Sequence, residues 1–482
     1  MITRLKQFYE KWIFNAYLCT SSQLGLFRIA FIFILIFFVG VPQFSNKIIN
    51  FPDGFYNPPP FFGQIFSDIP PILYFRITDI ILYLGFFCTL IGLFTKVSGI
   101  TSASLTIINF GFIFSTGKID HSFILWFTLF IMSFSGWEKN FSIDSIIFNT
   151  KNIKVQTWLF SLLSLSLGFA FFTAGLIKLI SGWLGTADSM VRAFFLRNYY
   201  VQQKQEYLAN FFENLNFQLF WEIGDWFTVF FEIGFLAVVF QVSLFRFFTL
   251  LAIFFHGMVM LMMNISFSAY FSVYLLFWTP LIPNKIVIKI QDTFHKLTQN
   301  RTRLLITILI LFIFYSVRIA FNEHVYSIFR DALILCTFIM SLYIFIIKPK
   351  ILFLKSGNQI ETSIIKFDGV CNLCNGFVQF VINRDKSAHF KFSTLQDSYD
   401  DKKEFQTIIF QNNEVIYEKS TAFLEIARKL NGLWPYLYLF ILIPKPIRDF
   451  IYSIIAKNRY HWFGKREICM IPTPELKNRF IL

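Results

Sequence analysis

The chain has 482 residues, 55% of them hydrophobic and 20% aromatic, with 69 Phe and a mean hydropathy of +0.57. A soluble fold cannot hide that much apolar surface, so composition predicts a polytopic membrane protein. The formal charge of +14 does not imply nucleic acid as a partner, because the basic residues fall largely in loops between apolar runs, as the positive-inside rule requires.

The first twelve residues, with Arg4, Lys6 and Lys11, read as a basic amphipathic helix on the inner membrane surface. Apolar runs then predict spans over 24–41, 72–94, 97–115, 121–137, 156–181, 226–245, 247–263, 269–281, 304–321 and 331–347, about ten membrane helices in a polytopic α-helical bundle. The first is expected to be a retained anchor, since no small-residue cleavage site follows it. Two connections stand out: the Pro-rich loop Phe51–Phe62 and the long charged and aromatic stretch Gly182–Asp225. Lysines and arginines near 139–154, at Arg246, and in 285–303 and 348–355 mark the inner loops. That assignment puts both termini in the cytoplasm of what reads as a bacterial inner-membrane protein.

Beyond Lys355 the composition turns mixed and charged. The pattern predicts a buried strand at Ser363–Asp368, a helix at Asn375–Asn383 and a strand at His389–Leu395. A hairpin at Thr407–Lys419 turns at Asn412-Asn413, and a helix follows at Thr421–Leu430. The expected organisation is a membrane domain at 1–350, a linker at 351–362 and a C-terminal α/β domain at 363–482.

Two constellations carry chemistry. In Phe367–Cys374, FDGVCNLC, a strand delivers Cys371 to the start of a helix. The helix dipole and free N–H groups there stabilise a thiolate, and Cys374 stands where it can resolve a mixed disulfide. A zinc site needs a second pair, and Cys469 alone, without nearby histidine spacing, supplies a poor one, so no metal is expected. In a reducing cytoplasm the pair rests as thiols, which implies a cytoplasmic thiol reductant. The second constellation is Lys178, near the end of the apolar run Phe169–Trp183. An ionisable group at membrane depth costs roughly 2.5–3.5 kcal/mol and is a functional-site candidate. A buried lysine loses its proton and becomes a base, whereas one near a helix end can snorkel to the headgroups. His121, in Asp120–Phe123, is expected to open its span on the same side as Lys178, either as a partner of the amine or as a helix-start residue at the interface. His256 is a third candidate, or a histidine hydrogen-bonded inside the bundle.

Residues 363–482 resemble the DCC family of thioredoxin-like thiol–disulfide oxidoreductases, through FDGVCNLCNGFVQFVINRD, FSTLQ, YEKSTAFLEIARKL and NRYHWFGKREICMIPTPELKNRF. The resemblance implies a thioredoxin-like fold, Cys371 as the attacking thiol, Cys374 as the resolving thiol and Asp368 as part of the signature. Cys469 falls on the family's C-terminal cysteine. Residues 15–285 resemble the HTTM family, which includes vitamin K-dependent gamma-carboxylase, through HSFILWFTLFIMSF, WEKNFSID and FFTAGLIKLISGWL. That resemblance implies Lys178 as a neutral base acting on a reduced naphthoquinone of the vitamin K or menaquinone kind, with His121 as an active-site histidine and His256 as a further family histidine. The implied partners are membrane lipid, the quinone and a protein or peptide substrate. The carboxylase's large lumenal region has no counterpart here. Two readings follow: a quinol-dependent membrane enzyme fused to a thiol domain, or a thiol–disulfide oxidoreductase whose bundle is a non-catalytic anchor or a peptide- or lipid-handling module.

Overall fold

A computed structural model describes all residues except 1, 50, 52–53, 55, 116–121, 151–152, 154, 156, 186–187, 268, 321–322, 354–362, 386–387, 396–406, 413–414, 467–477 and 482. The chain divides into two compact units, Met1–Ser341 and Leu342–Leu482. The division falls before the linker expected at 351–362, because Leu352 and Phe353 are buried and belong to the second unit. There the Phe353 carbonyl accepts from Arg428 Nη1 at 3.3 Å.

The first unit is helical: α1 (Ile2–Asn15), α2 (Ser21–Ile34), α3 (Ile72–Ile91), α4 (Thr95–Phe114), α5 (Phe123–Met132) and α6 (Trp158–Ile180) are followed by α7 (Gln218–Ala237), α8 (Val242–Met263), α9 (Ala269–Trp278), α10 (Asn284–Thr298), α11 (Arg301–Ala320) and α12 (Glu323–Ile347), which runs into the second unit. Five helices among the described residues are long and apolar enough to cross a membrane: Ser21–Ile48, Ile72–Ile91, Thr95–Phe114, Trp158–Gly185 and Val242–Met263. Ala269–Leu281 and Asn284–Thr298, bent by 103°, form a broken span or a re-entrant loop. This is fewer than the ten expected. Hydropathy counts apolar runs, but α5 and α9 have only 10 residues each. α7 has the length and carries Glu222, Asp225 and Glu232 within it. Arg246, expected in an inner loop, lies inside α8, fully buried, and its Nε donates to the Phe277 carbonyl at 2.8 Å. The stretch 182–225 is not a single connection either, since it holds a short helix at Met190–Leu196 and the start of α7.

Close packing joins α6 to α7. Gly168 and Gly175, seven residues apart, share a face of α6. A Cβ on Gly175 would stand 2.8 Å from Glu232 Cβ and 2.9 Å from Ile233 N, and one on Gly168 would stand 2.6 Å from Val239 Cγ2. Small residues at such a seam let two backbones approach and gain dispersion contact, the main attraction available between apolar helices in lipid. Phe171, between the two glycines, stacks on Phe235 at 4.3 Å between centroids.

In the second unit β1 (Ser363–Phe367), β2 (Phe390–Thr394), β3 (Ile409–Asn412) and β4 (Val415–Glu418) form one sheet in the order β2-β1-β3-β4. β1 pairs parallel with β2 and antiparallel with β3, and β3 and β4 form the expected hairpin. The helices are α13 (Asn372–Arg384), α14 (Lys419–Ala427) and α15 (Lys445–Phe463). Ile365, Phe367, Val378, Val381, Phe392 and Phe410 make the core between sheet and helices. Residue 413 of the expected turn lies outside the described residues.

Gly175→Val should lower the melting temperature of the detergent-solubilised chain, with an overpacking cost of about 1–3 kcal/mol. An unchanged melting curve would show that α6 and α7 do not approach this closely.

Candidate functional site

β1 ends at Phe367, and a three-residue turn, Asp368–Val370, places Cys371 as the residue before α13. Cys371 is extended (φ −85°, ψ 122°), and its Sγ accepts from the Cys374 N–H at 3.4 Å. The sulfur therefore occupies the place where a helix otherwise takes a serine, threonine or aspartate oxygen. Helix α13 begins three residues before the apolar pattern suggested, because its first turn is Asn372-Leu373-Cys374. Asn375, buried in the next turn, donates through Nδ2 to the Gly369 carbonyl at 2.8 Å and fixes the turn from below.

Asp368 is buried, and each carboxylate oxygen has its own task. Oδ1 accepts from Val370 N–H at 3.2 Å, which shapes the turn. Oδ2 accepts from Arg459 Nη2 at 3.1 Å and from the Tyr460 hydroxyl, both carried by α15. A buried carboxylate requires such partners. Neither Arg459 nor Tyr460 was singled out from sequence, although both lie in the quoted NRYHW stretch; an aspartate beside a redox motif is the signal to search for a cation.

The segment after α15 runs over the cysteine. Gly464 accepts from Asn372 N–H at 3.4 Å, Lys465 bridges Cys371 in antiparallel fashion, and Arg466 N–H donates to the Val370 carbonyl at 2.8 Å. Arg466 Nε also donates to Asn372 Oδ1 at 2.8 Å. Cys371 is 0% exposed beneath this strap. Cys374 is half-buried, and that burial, reinforced by its hydrogen bond with Cys371, pushes its thiol well above the ordinary cysteine range. No group of three His, Cys, Asp or Glu side chains able to hold a metal ion occurs among the described residues. Cys469 lies outside them.

In the first unit, Lys178 forms an ion pair. Its Nζ donates to both oxygens of Glu232, at 2.7 and 2.5 Å, and stands 5.4 Å from the Trp183 ring centre. The lysine side chain is 22% exposed and the glutamate 7%. Lys178, read from the sequence as a base or as a snorkelling lysine, thus pairs with Glu232 of α7. Glu232 could have been found from the seven-residue spacing of Asp225 and Glu232, which puts two acids on one buried face of α7. Asp225 accepts from the N–H groups of Met190 and Val191, at 3.1 and 2.8 Å. His121 and Asp120 lie outside the described residues. His256 is buried in an aromatic nest, with its ring 4.6 Å from Phe267 and 5.9 Å from Phe171 and its Nδ1 3.4 Å from the Tyr274 hydroxyl.

Residues 365–465 match the family model of DCC1-like thiol-disulfide oxidoreductases. The uncharacterized protein YuxK of Bacillus subtilis is 44% identical over 135 residues, covering 26% of this chain and 98% of its own. A chloroplastic DCC family protein of Arabidopsis thaliana is 35% identical over 116 residues, covering 22% of this chain and 67% of its own. No solved structure matches the chain. None of the matches supports the carboxylase-like reading of the first unit.

Two measurements test this geometry. Lys178→Met leaves Glu232 buried and unpaired and should destabilise the full chain by roughly 3–5 kcal/mol, while adding Glu232→Leu should recover most of that loss. Additive losses would mean the pair is not coupled. For the thiols, a raised pKa means that the Cys374 thiolate forms only at higher pH than for an ordinary cysteine. Iodoacetamide labelling mapped by mass against pH should therefore modify Cys374 late, and rapid labelling at neutral pH would contradict its burial.

Proposed function

The chain belongs, through its C-terminal unit, to the DCC1-like thiol–disulfide oxidoreductase family, and from that premise we propose a membrane-anchored oxidoreductase whose helical unit is a non-catalytic anchor. The observation that carries the proposal is the Cys371 sulfur in the N-cap of α13, accepting a helix N–H. The reactive form of a cysteine is the thiolate, and this sulfur stands at the start of a helix within reach of its N–H groups.

The Cys371 thiolate attacks one sulfur of a substrate disulfide. A mixed disulfide forms, and the second substrate sulfur leaves as a thiolate that takes up a proton. Cys374, one helical turn on, then attacks Cys371 Sγ; its proton passes to the departing substrate sulfur, which leaves as a thiol. The substrate disulfide gains two electrons, and Cys371 and Cys374 become a disulfide. Burial raises the Cys374 pKa, which suits a thiol that reacts second. Asp368 positions the turn that presents Cys371 and takes no part in the electron transfer. The lysine and arginine bias of the loops supports a cytoplasmic thiol unit, with a cytoplasmic dithiol as the reductant that restores the pair.

A quinol-deprotonating base at Lys178 is not the reading favoured here. That chemistry needs an unprotonated amine, and both Glu232 oxygens engage Nζ. Such a pair serves better to lock α6 against α7.

With a model disulfide, Cys374→Ser should accumulate a covalent adduct visible on a non-reducing gel, because the resolving step is missing. Cys371→Ser should form no adduct and lose essentially all turnover. Persistent turnover in Cys371→Ser would remove the assignment.

A further inference from the structure

We infer that α15 is an interfacial helix that lays the thiol unit on an anionic bilayer surface. The helix is amphipathic in the inverted sense. Its polar side faces its own unit: Asp449 accepts from Ser420 Oγ at 2.5 Å, Arg448 Nη1 donates to the same hydroxyl at 2.9 Å, and Arg459 holds Asp368. The Tyr452 hydroxyl accepts from Ile408 N–H at 3.0 Å on that side too. The other side carries Ile447, Phe450, Ile451, Ile454, Ile455 and Trp462, all exposed, with Phe450 at 68%. The first five recur at i, i+3, i+4, i+7 and i+8, which is one continuous stripe of a helix. A surface helix of a water-soluble domain buries that stripe and exposes its polar face; here the reverse holds.

Charge selects the occupant. Between Lys445 and Arg466 the chain has six basic residues and one acid, Asp449, which is already engaged by Ser420. Lys445, Lys457, Lys465 and Arg466 are exposed. An apolar stripe flanked by lysine and arginine, with Trp462 near its end, is the pattern of a helix lying in the headgroup layer, where anionic lipid adds attraction. The same chain contributes helices fit to cross a membrane. That tether raises the local concentration of bilayer around the thiol unit, so no large free affinity is needed. The C-terminal end of α15 supplies Arg459 and the Phe463 carbonyl, which accepts from Asn372 Nδ2 at 2.9 Å. A helix seated in the interface therefore brings the Cys371 turn with it, favouring disulfides at or in the membrane surface. The placement of α15 goes beyond the redox reading and stands without it; the preference for surface disulfides rests on that reading.

The test uses the full chain in vesicles of phosphatidylcholine containing about one-third phosphatidylglycerol, with p-benzoylphenylalanine in place of Phe450, Ile454 or, as reference, Ile416 on β4. All three positions are exposed, and using two on the stripe guards against one variant failing to fold. After illumination, mass analysis should find lipid adducts at 450 and 454 in at least about fivefold excess over 416. Adducts to protein at 450 and 454, from this chain, a second copy or another polypeptide, would overturn the inference. A lipid yield no greater than at 416 would overturn it equally.

Discussion

A helix begins with N–H groups that have no partner of their own, and the thiol unit is built around what meets that of Cys374, the third residue of α13. The partner is a sulfur. Placing it there requires a turn of fixed shape between β1 and α13, and the shape is held by one carboxylate, Asp368, whose two oxygens take different partners. One oxygen sets the turn; the other draws in Arg459 and Tyr460 and so anchors α15. The position of α15 then decides where the strap of Gly464, Lys465 and Arg466 falls. Removing the aspartate would therefore disturb the turn, the last helix and the cover over Cys371 together.

The helical unit follows a related rule. Charges taken out of water must meet partners, and those named here do: Lys178 meets Glu232, Asp225 caps a short helix, and Arg246 meets a backbone carbonyl. Arg28, also fully buried, donates to the carbonyls of Trp137 and Phe141. A charge at membrane depth is a fair starting point for a search for function. Here those charges are each met by a carboxylate, a backbone N–H or a backbone carbonyl.

Local patterns were the readable part. The strand, the cysteine pair and the following helix lie within about twenty residues, and short-range chemistry decides them. The hairpin was equally plain from its alternation. The motif puts Cys371 at the start of a helix, where α13 begins, whereas the apolar pattern alone starts only at Asn375. The clasp between Asp368 and Arg459 spans 91 positions, and neither periodicity nor propensity reports a contact at that range. Five of the ten expected spans are met among the described residues, and a sliding apolar run does not register that α5 and α9 are short or that α7 carries three acids. Lys178 was noticed for the right physical reason, but its counterion on another helix was invisible. Asp120, His121 and Cys469 fall outside the described residues, so the expected meeting of His121 with the amine was not met by any observation.

The strap over the cysteine has a consequence for how the protein endures between turnovers. Sulfur oxidation by peroxide follows exposure and thiolate character, and Cys371 is fully buried at the start of α13. Gly464 sits at φ +81°, where a side chain would crowd Asn372, so a glycine keeps that cover closely fitted. Reaching the Cys371 sulfur therefore means parting the main-chain bonds that residues 464–466 make with residues 370–372.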